Sequence, residues 1–301
     1  MTTTLQEFSR PFFIGVAGTG MSALAQYLQG IGKQVSGSDR QFNTNTSQTI
    51  RVQLEEAGIS CYPQDGSGFD SSIDLVVVST AIEPSVPEVR IAQERGIPII
   101  HRAALLALIA SSKKTIAVAG TSGKSTTAAM LFDILEEGGY APSIISGAGL
   151  TRIIQQGKIG NAVVGKGEWL VIEADESDGS IVQYHPEIGL LLNIDKDHDE
   201  ISTLLTLFQK FRSQSQYFTV NQSHAIAASL SRDSNRDFSV HYSDASTITV
   251  GYQASDFLQK GLQIQFKVSG VPVFIIFRDG NEKLRHVGMI DKKELMNKIK
   301  Q

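Results

Sequence analysis

Lys124 and Ser125 stand in AGTSGKST, residues 119 to 126. Gly-Lys-Ser opening a helix is the ending of a phosphate-binding loop. Backbone N–H groups at the helix start favour an anion, the lysine ammonium would meet the β- and γ-phosphates, and the serine hydroxyl would face Mg²⁺. The usual loop has a glycine five positions before the second one, and here that place is Val118. The plainer alternative is a helix N-terminus capped by Ser125 or Thr126, with Lys124 in solvent.

Two acidic stretches close apolar runs further on. In EADESD, residues 173 to 178, four acids in six positions repel one another, and a divalent cation would relieve that. Glu173 is the favoured ligand; a solvated acidic loop is the alternative. In NIDKDHDE, residues 193 to 200, His198 could ligate a metal as neutral imidazole or stand in water.

Near the N-terminus, GVAGTG (residues 15 to 20) has the form of a dinucleotide fingerprint with Ala17 at the middle glycine. Asp39 follows Gly20 by 19 residues, where a ribose partner is expected. The turn suits a nucleotide diphosphate; a tight turn without a ligand is the alternative. STAI (79–82) and HRA (101–103) close two further runs, as ligand contacts or as polar strand ends. Cys61 falls in a polar loop with no histidine nearby in sequence, and reads as inert.

These residues need a scaffold that brings strand ends together. PFFIGV, KQVSGSD, DLVVVSTAI and IPIIHR read as strands, alternating with helices that start at Met21, around RVQLEEAG, over VPEVRIAQERG and over AALLALIASS. KKTIAVAG begins a second unit, followed by the helix TTAAMLFDILEEGG, the strands APSIISGAG, WLVIEADESD and EIGLLLN, and the amphipathic helix ISTLLTLFQKFRSQ. Alternation of this kind predicts parallel sheets with helices on their faces, and ligands at the C-terminal strand edge. After residue 215 the pattern turns β-rich, with FSVHYS, STITVGY, LQIQFKV and PVFIIF, and a last helix is expected at KKELMNKIK. The fold class expected is α/β: an N-terminal Rossmann-like parallel-sheet domain followed by a P-loop α/β ATPase domain.

Composition agrees. The chain has 301 residues, enough for two domains, with 41% apolar and 19% charged residues. A net charge of −4 offers no basic field to nucleic acid, and no apolar run approaches the ~20 residues of a membrane span. A single cysteine and no signal-peptide pattern suit a reducing cytoplasm. Nothing in the sequence points to an oligomeric state.

IGVAGTGMSALA, VSGSD, VVVSTAI, AVAGTSGKSTT, EADESDGS and NIDKDH together stand in the order and spacing of the Mur ligases. Over residues 12 to about 270 the chain resembles this family of three-domain, ATP-dependent ligases, and within it the alanine-adding branch. Folylpolyglutamate synthetases share the shortened loop but lack the GVAGTGM unit. The resemblance implies ATP and Mg²⁺ as cofactors, and UDP-N-acetylmuramate and L-alanine as substrates; a relative that adds a ready-made peptide is the neighbouring possibility. It implies that Gly15, Gly18, Thr19, Gly20 and Met21 lie against the UDP diphosphate and Ser38 and Asp39 near the nucleoside. Ser79, Ala81, His101 and Arg102 would line the same pocket. Gly120, Thr121, Ser122, Gly123, Lys124, Ser125 and Thr126 would hold the ATP phosphates. Lys124, Glu173 and His198 would be catalytic, with Ser125, Glu173 and His198 around the metal. The domains implied are 1–111 for the UDP-sugar and 112–270 for ATP.

Three departures from the family pattern stand out. Ser122 replaces a usual histidine, Ala17 a usual glycine, and the Gly-x-His-Asn segment leading into the third domain is missing. The expectation is an atypical tail, 271–301, in place of that domain, leaving either an active ligase or a module that binds without turnover. SGVPVFIIFRDGNEKLRHVGMIDKKELMNKIKQ resembles the last two strands and helix of a thioredoxin fold, without its Cys-x-x-Cys; a hairpin and helix finishing the ATP domain is the alternative.

Overall fold

The computed structural model describes residues 4–44, 48–177, 179–195, 200–234, 236–244, 247–252, 264–267, 273–278 and 281–287. Its first strand, β1 (Pro11–Ile14), is buried on both faces. Phe13 packs with Leu24 and Leu28 on one side, while Phe12 and Ile14 pack with Phe69, Val76 and Val89 on the other. Such double burial is why the strand reads as a continuous apolar run instead of an alternating one. Four more strands flank it: β2 (Ser36–Asp39), β3 (Ser60–Pro63), β4 (Leu75–Val78) and β5 (Ile99–His101). All pair in parallel in the order β3-β2-β1-β4-β5. The helices between them are α1 (Thr19–Gly30), α2 (Gln48–Glu56) and α3 (Pro87–Arg95), and α4 (Arg102–Ser111) follows β5.

Cys61 corrects the sequence reading. It lies on the edge strand β3, not in a polar loop, and is 6% exposed. Burial, chiefly, with the Glu55 carboxylate adding to it, pushes its thiol up to about 12. The thiol is therefore inert for a different reason than the one expected.

The second sheet holds β6 (Lys114–Ala119), β7 (Ser143–Ile145), β8 (Ala162–Val163), β9 (Trp169–Ala174), β10 (Ile188–Leu191) and β11 (Tyr217–Val220) in the order β11-β10-β6-β9-β7-β8. Only β8 runs antiparallel in it. Its helices are α5 (Lys124–Glu137), the short α6 (Thr151–Ile154), α7 (Ile201–Gln214) and the short α8 (Ala225–Ala228). Val118 and Val171 face α5 through Ala128 and Phe132. Ala117, Ala119, Leu170 and Ile172 face the other way, into a core cluster that also holds Phe13, Leu24, Leu105 and Ile109. One apolar core thus runs from the first sheet to the second, with α1 and α4 contributing to it.

A third sheet is an antiparallel meander of β12 (Phe238–Asp244), β13 (Thr247–Tyr252), β14 (Ile264–Lys267), β15 (Val273–Arg278) and β16 (Asn281–Val287). A parallel bridge from Asn221 to Phe238 ties its first strand to the second sheet's edge. β15 pairs with β14 and with β16, so the tail's strands continue this sheet as a hairpin. The helix expected at 292–300 and the Asp-Gly turn at 279–280 lie outside the described residues.

Candidate active site

The turn after β1 is hung from the end of β2. Gly15 and Val16 donate their N–H groups to the Ser38 carbonyl at 2.7 and 3.1 Å. Asp39 Oδ2 accepts from Ala17 N–H at 3.0 Å and Oδ1 from Gln41 N–H at 2.9 Å. Gly15 has φ +82°, a left-handed conformation that glycine adopts without strain. Both Asp39 oxygens are thus committed to backbone, and the residue is 4% exposed. Ser38 and Met21 are also buried, at 0% and 3%. Ser38 and Met21 do not line the cleft in front of the turn, whereas Asp39 does.

A cleft of about 400 Å³ opens in front, lined by Gly15, Gly18, Asp39, Arg40, Gln41, Gln64, Ser79, Ala81 and Glu83. It lies between the ends of β1 and β4, where the strand order reverses, the place ligands take in open α/β sheets. Gly15, Gly18, Ser79 and Ala81 meet there as the sequence suggested. His101 does not line it, and Arg102 stands elsewhere. Arg40, Gln41 and Gln64 were missed; Arg40 and Gln41 directly follow Asp39, which was the signal available.

The second turn, after β6, opens α5. Gly120 and Gly123 have φ +136° and +84°, and a Cβ on Gly120 would come within 3.1 Å of Asn193 N. Gly123 caps α5 with no side-chain hydrogen bond, so neither Ser125 nor Thr126 is the cap. Nor is Lys124 in solvent. Its side chain is 16% exposed, and Nζ lies 2.9 Å from Glu176 Oε2, 2.9 Å from the Gly120 carbonyl and 3.8 Å from Asp175 Oδ1. The loop is braced by Asn193, whose Oδ1 accepts from Thr121 Oγ1 and Ser122 N–H, both at 2.9 Å. Its Nδ2 donates to the Ser122 carbonyl at 3.1 Å.

Glu173, at the end of β9, faces this turn. Its Oε2 accepts from Ser125 Oγ at 2.8 Å; its Oε1 accepts from Ser146 Oγ and Gly147 N–H, both at 2.6 Å. A carboxylate beside a serine hydroxyl is the hard oxygen donor set that Mg²⁺ takes. A cavity of about 260 Å³ is lined by Thr121, Gly123, Lys124, Ser125, Thr126 and Glu173. On the other side of Glu173 a smaller cavity of about 70 Å³ joins the two domains: Gly20 and Arg102 from the first, Ser146, Gly147, Glu173 and Asp175 from the second. His198 lies outside the described residues. Among the described residues no cluster of three or more histidine, cysteine or acidic side chains forms a ready metal site.

Glu176, Asn193 and Ser146 were not singled out from sequence, though Glu176 and Asn193 sit inside stretches read as closing a strand, and Ser146 inside the run APSIISGAG read as a strand. A roomier cleft, about 770 Å³, opens at the opposite strand ends beside Lys113, Lys114, Glu168 and Gln214. Its lysines are already engaged, Lys114 with Glu168 at 3.0 Å and Lys113 with the Gly167 carbonyl at 2.6 Å. Volume there does not coincide with the candidate residues, which line the strand-edge cavities instead.

Comparison with known proteins agrees with this geometry. A sequence model of the Mur ligase family, catalytic domain, matches residues 12–114, and one of the Mur ligase middle domain matches 118–299. The UDP-N-acetylmuramate–L-alanine ligase of Dictyoglomus turgidum is 38% identical over 279 residues, covering 92% of this chain and 57% of that protein. The one from Bdellovibrio bacteriovorus is 45% identical over 188 residues, covering 62% and 39%. The chain therefore spans about half the length of the curated relatives it matches. Among solved structures, the UDP-N-acetylmuramate–alanine ligase of Thermotoga maritima shares the fold with TM-score 0.70 at 23% identity, covering 86% of this chain and 60% of that one. The UDP-N-acetylmuramate:L-alanyl-gamma-D-glutamyl-meso-diaminopimelate ligase from Neisseria meningitides gives 0.68 at 21%, covering 96% and 90%. With the two domain models matched in succession over residues 12–114 and 118–299, this chain belongs to the Mur ligase family.

Proposed function

We propose that this chain carries the sugar-nucleotide and ATP sites of a ligase of peptidoglycan precursor synthesis, joining L-alanine to UDP-N-acetylmuramate with cleavage of ATP to ADP and phosphate. The observation that carries this reading is the position of Glu173, between the Lys124 turn on one side and a cavity walled by Gly20 and Arg102 on the other. Relatives named for this reaction, at 38–45% identity, support the substrate pair. Residues 1–111 would bind the sugar nucleotide and residues from 112 onward ATP, with the reaction in the cytoplasm, where ATP is available.

In this reading Gly15, Gly18, Thr19 and Gly20 present backbone to the UDP diphosphate, and Ser79 and Ala81 face it across the cleft. The lactyl carboxylate of the sugar attacks the γ-phosphorus of ATP. The bond to the β,γ-bridging oxygen breaks and ADP leaves, giving an acyl phosphate. The alanine amine then attacks the acyl carbon, a tetrahedral intermediate forms, and phosphate departs as the amine loses its proton. Lys124 would exchange Glu176 for the transferring phosphoryl group and neutralise charge spreading over its oxygens. Ser125, Glu173 and, from the motif, His198 would hold Mg²⁺, which supplies further charge neutralisation at those oxygens. Ser146 and Gly147 fix the Glu173 carboxylate before any ligand arrives.

The test is phosphate release from ATP in the presence of Mg²⁺, UDP-N-acetylmuramate and L-alanine. Release that requires all of them is expected. Release indifferent to the sugar nucleotide would sink the substrate assignment.

A further inference from the structure

The two turns that the proposed function treats as substrate sites belong to different domains, and a partly buried hydrogen-bond chain connects them. At its centre is Asn161, 1% exposed, just before β8 in the second sheet. Its Nδ2 donates to the Thr19 carbonyl at 2.9 Å and to Ser22 Oγ at 3.0 Å, both in the first turn of α1. Its Oδ1 accepts from Gln26 Nε2 at 2.7 Å, one turn further along the same helix. The amide orientation follows from chemistry, because the Thr19 carbonyl accepts only. On the other side, the Asn161 carbonyl accepts from Ser146 N–H at 2.9 Å, and Ser146 Oγ donates to Glu173. Glu173 in turn accepts from Ser125 of the phosphate turn. Thr19 to Ser125 is thus one continuous path of hydrogen bonds through Asn161, Ser146 and Glu173.

The rest of α1 is fixed to the same sheet. Tyr27, 1% exposed, lies beside Ser143 of β7. Gly30 lies so close to β8 that a Cβ there would come within 2.6 Å of Val164 Cγ2. The helix that begins in the sugar-nucleotide turn is therefore seated along its length on the ATP domain, and Asn161 holds the end nearest the chemistry.

We propose that Asn161 is a positioning residue that sets the register between the sugar-nucleotide turn and the Glu173 centre. It touches neither substrate site directly; it acts by fixing Thr19 and Ser146 at once. In-line phosphoryl transfer needs both reactants held to within a fraction of an ångström, and a misplacement of ~1 Å costs about 100-fold in rate. The role rests on reading the two turns as substrate sites, but the register itself can be measured without any substrate.

The experiment places spin labels at Val52→Cys on α2 and Ile134→Cys on α5, positions 45% and 61% exposed. Native Cys61, buried and with its thiol pushed up to about 12, can stay. Pulsed dipolar spectroscopy on the full chain should give a narrow distance distribution. Asn161→Ala should widen it, while the affinities for UDP-N-acetylmuramate and for ATP, each titrated alone, stay within about twofold, the scatter expected of independent sites. If Asn161→Ala does not fold, Gln26→Met decides, since it removes one bond of the set from the opposite domain. A distribution as narrow as the parent's in a folded variant, with only a lowered melting temperature, would overturn the proposal by reducing Asn161 to a stabilising contact. Failure of the parent chain to bind UDP-N-acetylmuramate would count against the proposed function and leave the distance result standing.

Discussion

In the proposed function Lys124 would serve both the empty site and the loaded one. Its ammonium is held by Glu176, whose side chain is 6% exposed, so a nucleotide must take the lysine from a buried partner. Truncation should therefore do two things. Lys124→Ala should weaken ATP binding by about 10- to 100-fold, the worth of a hydrogen bond to a charged group. It should also lower the melting temperature, because Glu176 is left buried and unpaired. Adding Glu176→Gln to it should restore stability and leave ATP affinity low. Titration with a fluorescent nucleotide separates the two, and unchanged affinity in Lys124→Ala would refute the role given to the turn. Cys61 gives a second residue-scale prediction. A thiol pushed up to about 12 is almost wholly protonated at pH 8, so iodoacetamide should leave native protein unlabelled and label it after unfolding. Rapid native labelling, read by mass spectrometry, would contradict the buried placement. The lysine, Ser125 and Glu173 were legible from residue type and spacing. Glu176 and Asn193 were not, because nothing in a sequence says which of several neighbouring polar groups turns toward a loop.

At the scale of elements, the long periodic and apolar runs announced themselves. α7 occupies the same residues, 201–214, as the amphipathic run read from sequence, with Leu204, Phe208 and Phe211 facing the core. The strands β1, β4, β6 and β9 are fully or largely buried apolar runs, a pattern few other structures produce. β3 and β8 were missed for physical reasons. β3 is a four-residue edge strand ending in proline, and β8 is a two-residue antiparallel edge, so neither has the length or burial to leave a pattern. Gly37 in β2 tests the closeness of the central strands. A Cβ there would stand 2.6 Å from the Phe13 carbonyl oxygen and 2.8 Å from Val16 Cβ. Gly37→Ala should cost about 1–3 kcal/mol through overpacking and loosen the sugar-nucleotide turn hung on Ser38. Chemical denaturation would measure it, and a loss below ~0.5 kcal/mol, the size of a neutral surface change, would mean that β1 and β2 are not so tightly apposed.

For the molecule as a whole, the two sheets share one core, and their C-terminal edges meet at Glu173. That convergence was readable only in outline. The sequence placed each motif at the end of a strand, and an edge rule placed the strand ends on one side of each sheet. How the two edges face each other depends on contacts such as Asn161 with Gln26, 135 positions apart, which carry no local signal. Among the described residues no helix is long and apolar enough to cross a membrane. The central claim is that the turn of residues 15–20 and the turn of residues 120–126 are the sugar-nucleotide and ATP sites of one ligase. Calorimetric titration of the chain with UDP-N-acetylmuramate, run with and without Mg²⁺ and a non-hydrolysable ATP analogue, tests it most directly. The account predicts saturable binding of one sugar nucleotide per chain in both cases, lost when Gly18 is replaced by a bulky residue and retained in Lys124→Ala. Absence of any saturable heat from the parent chain would contradict it.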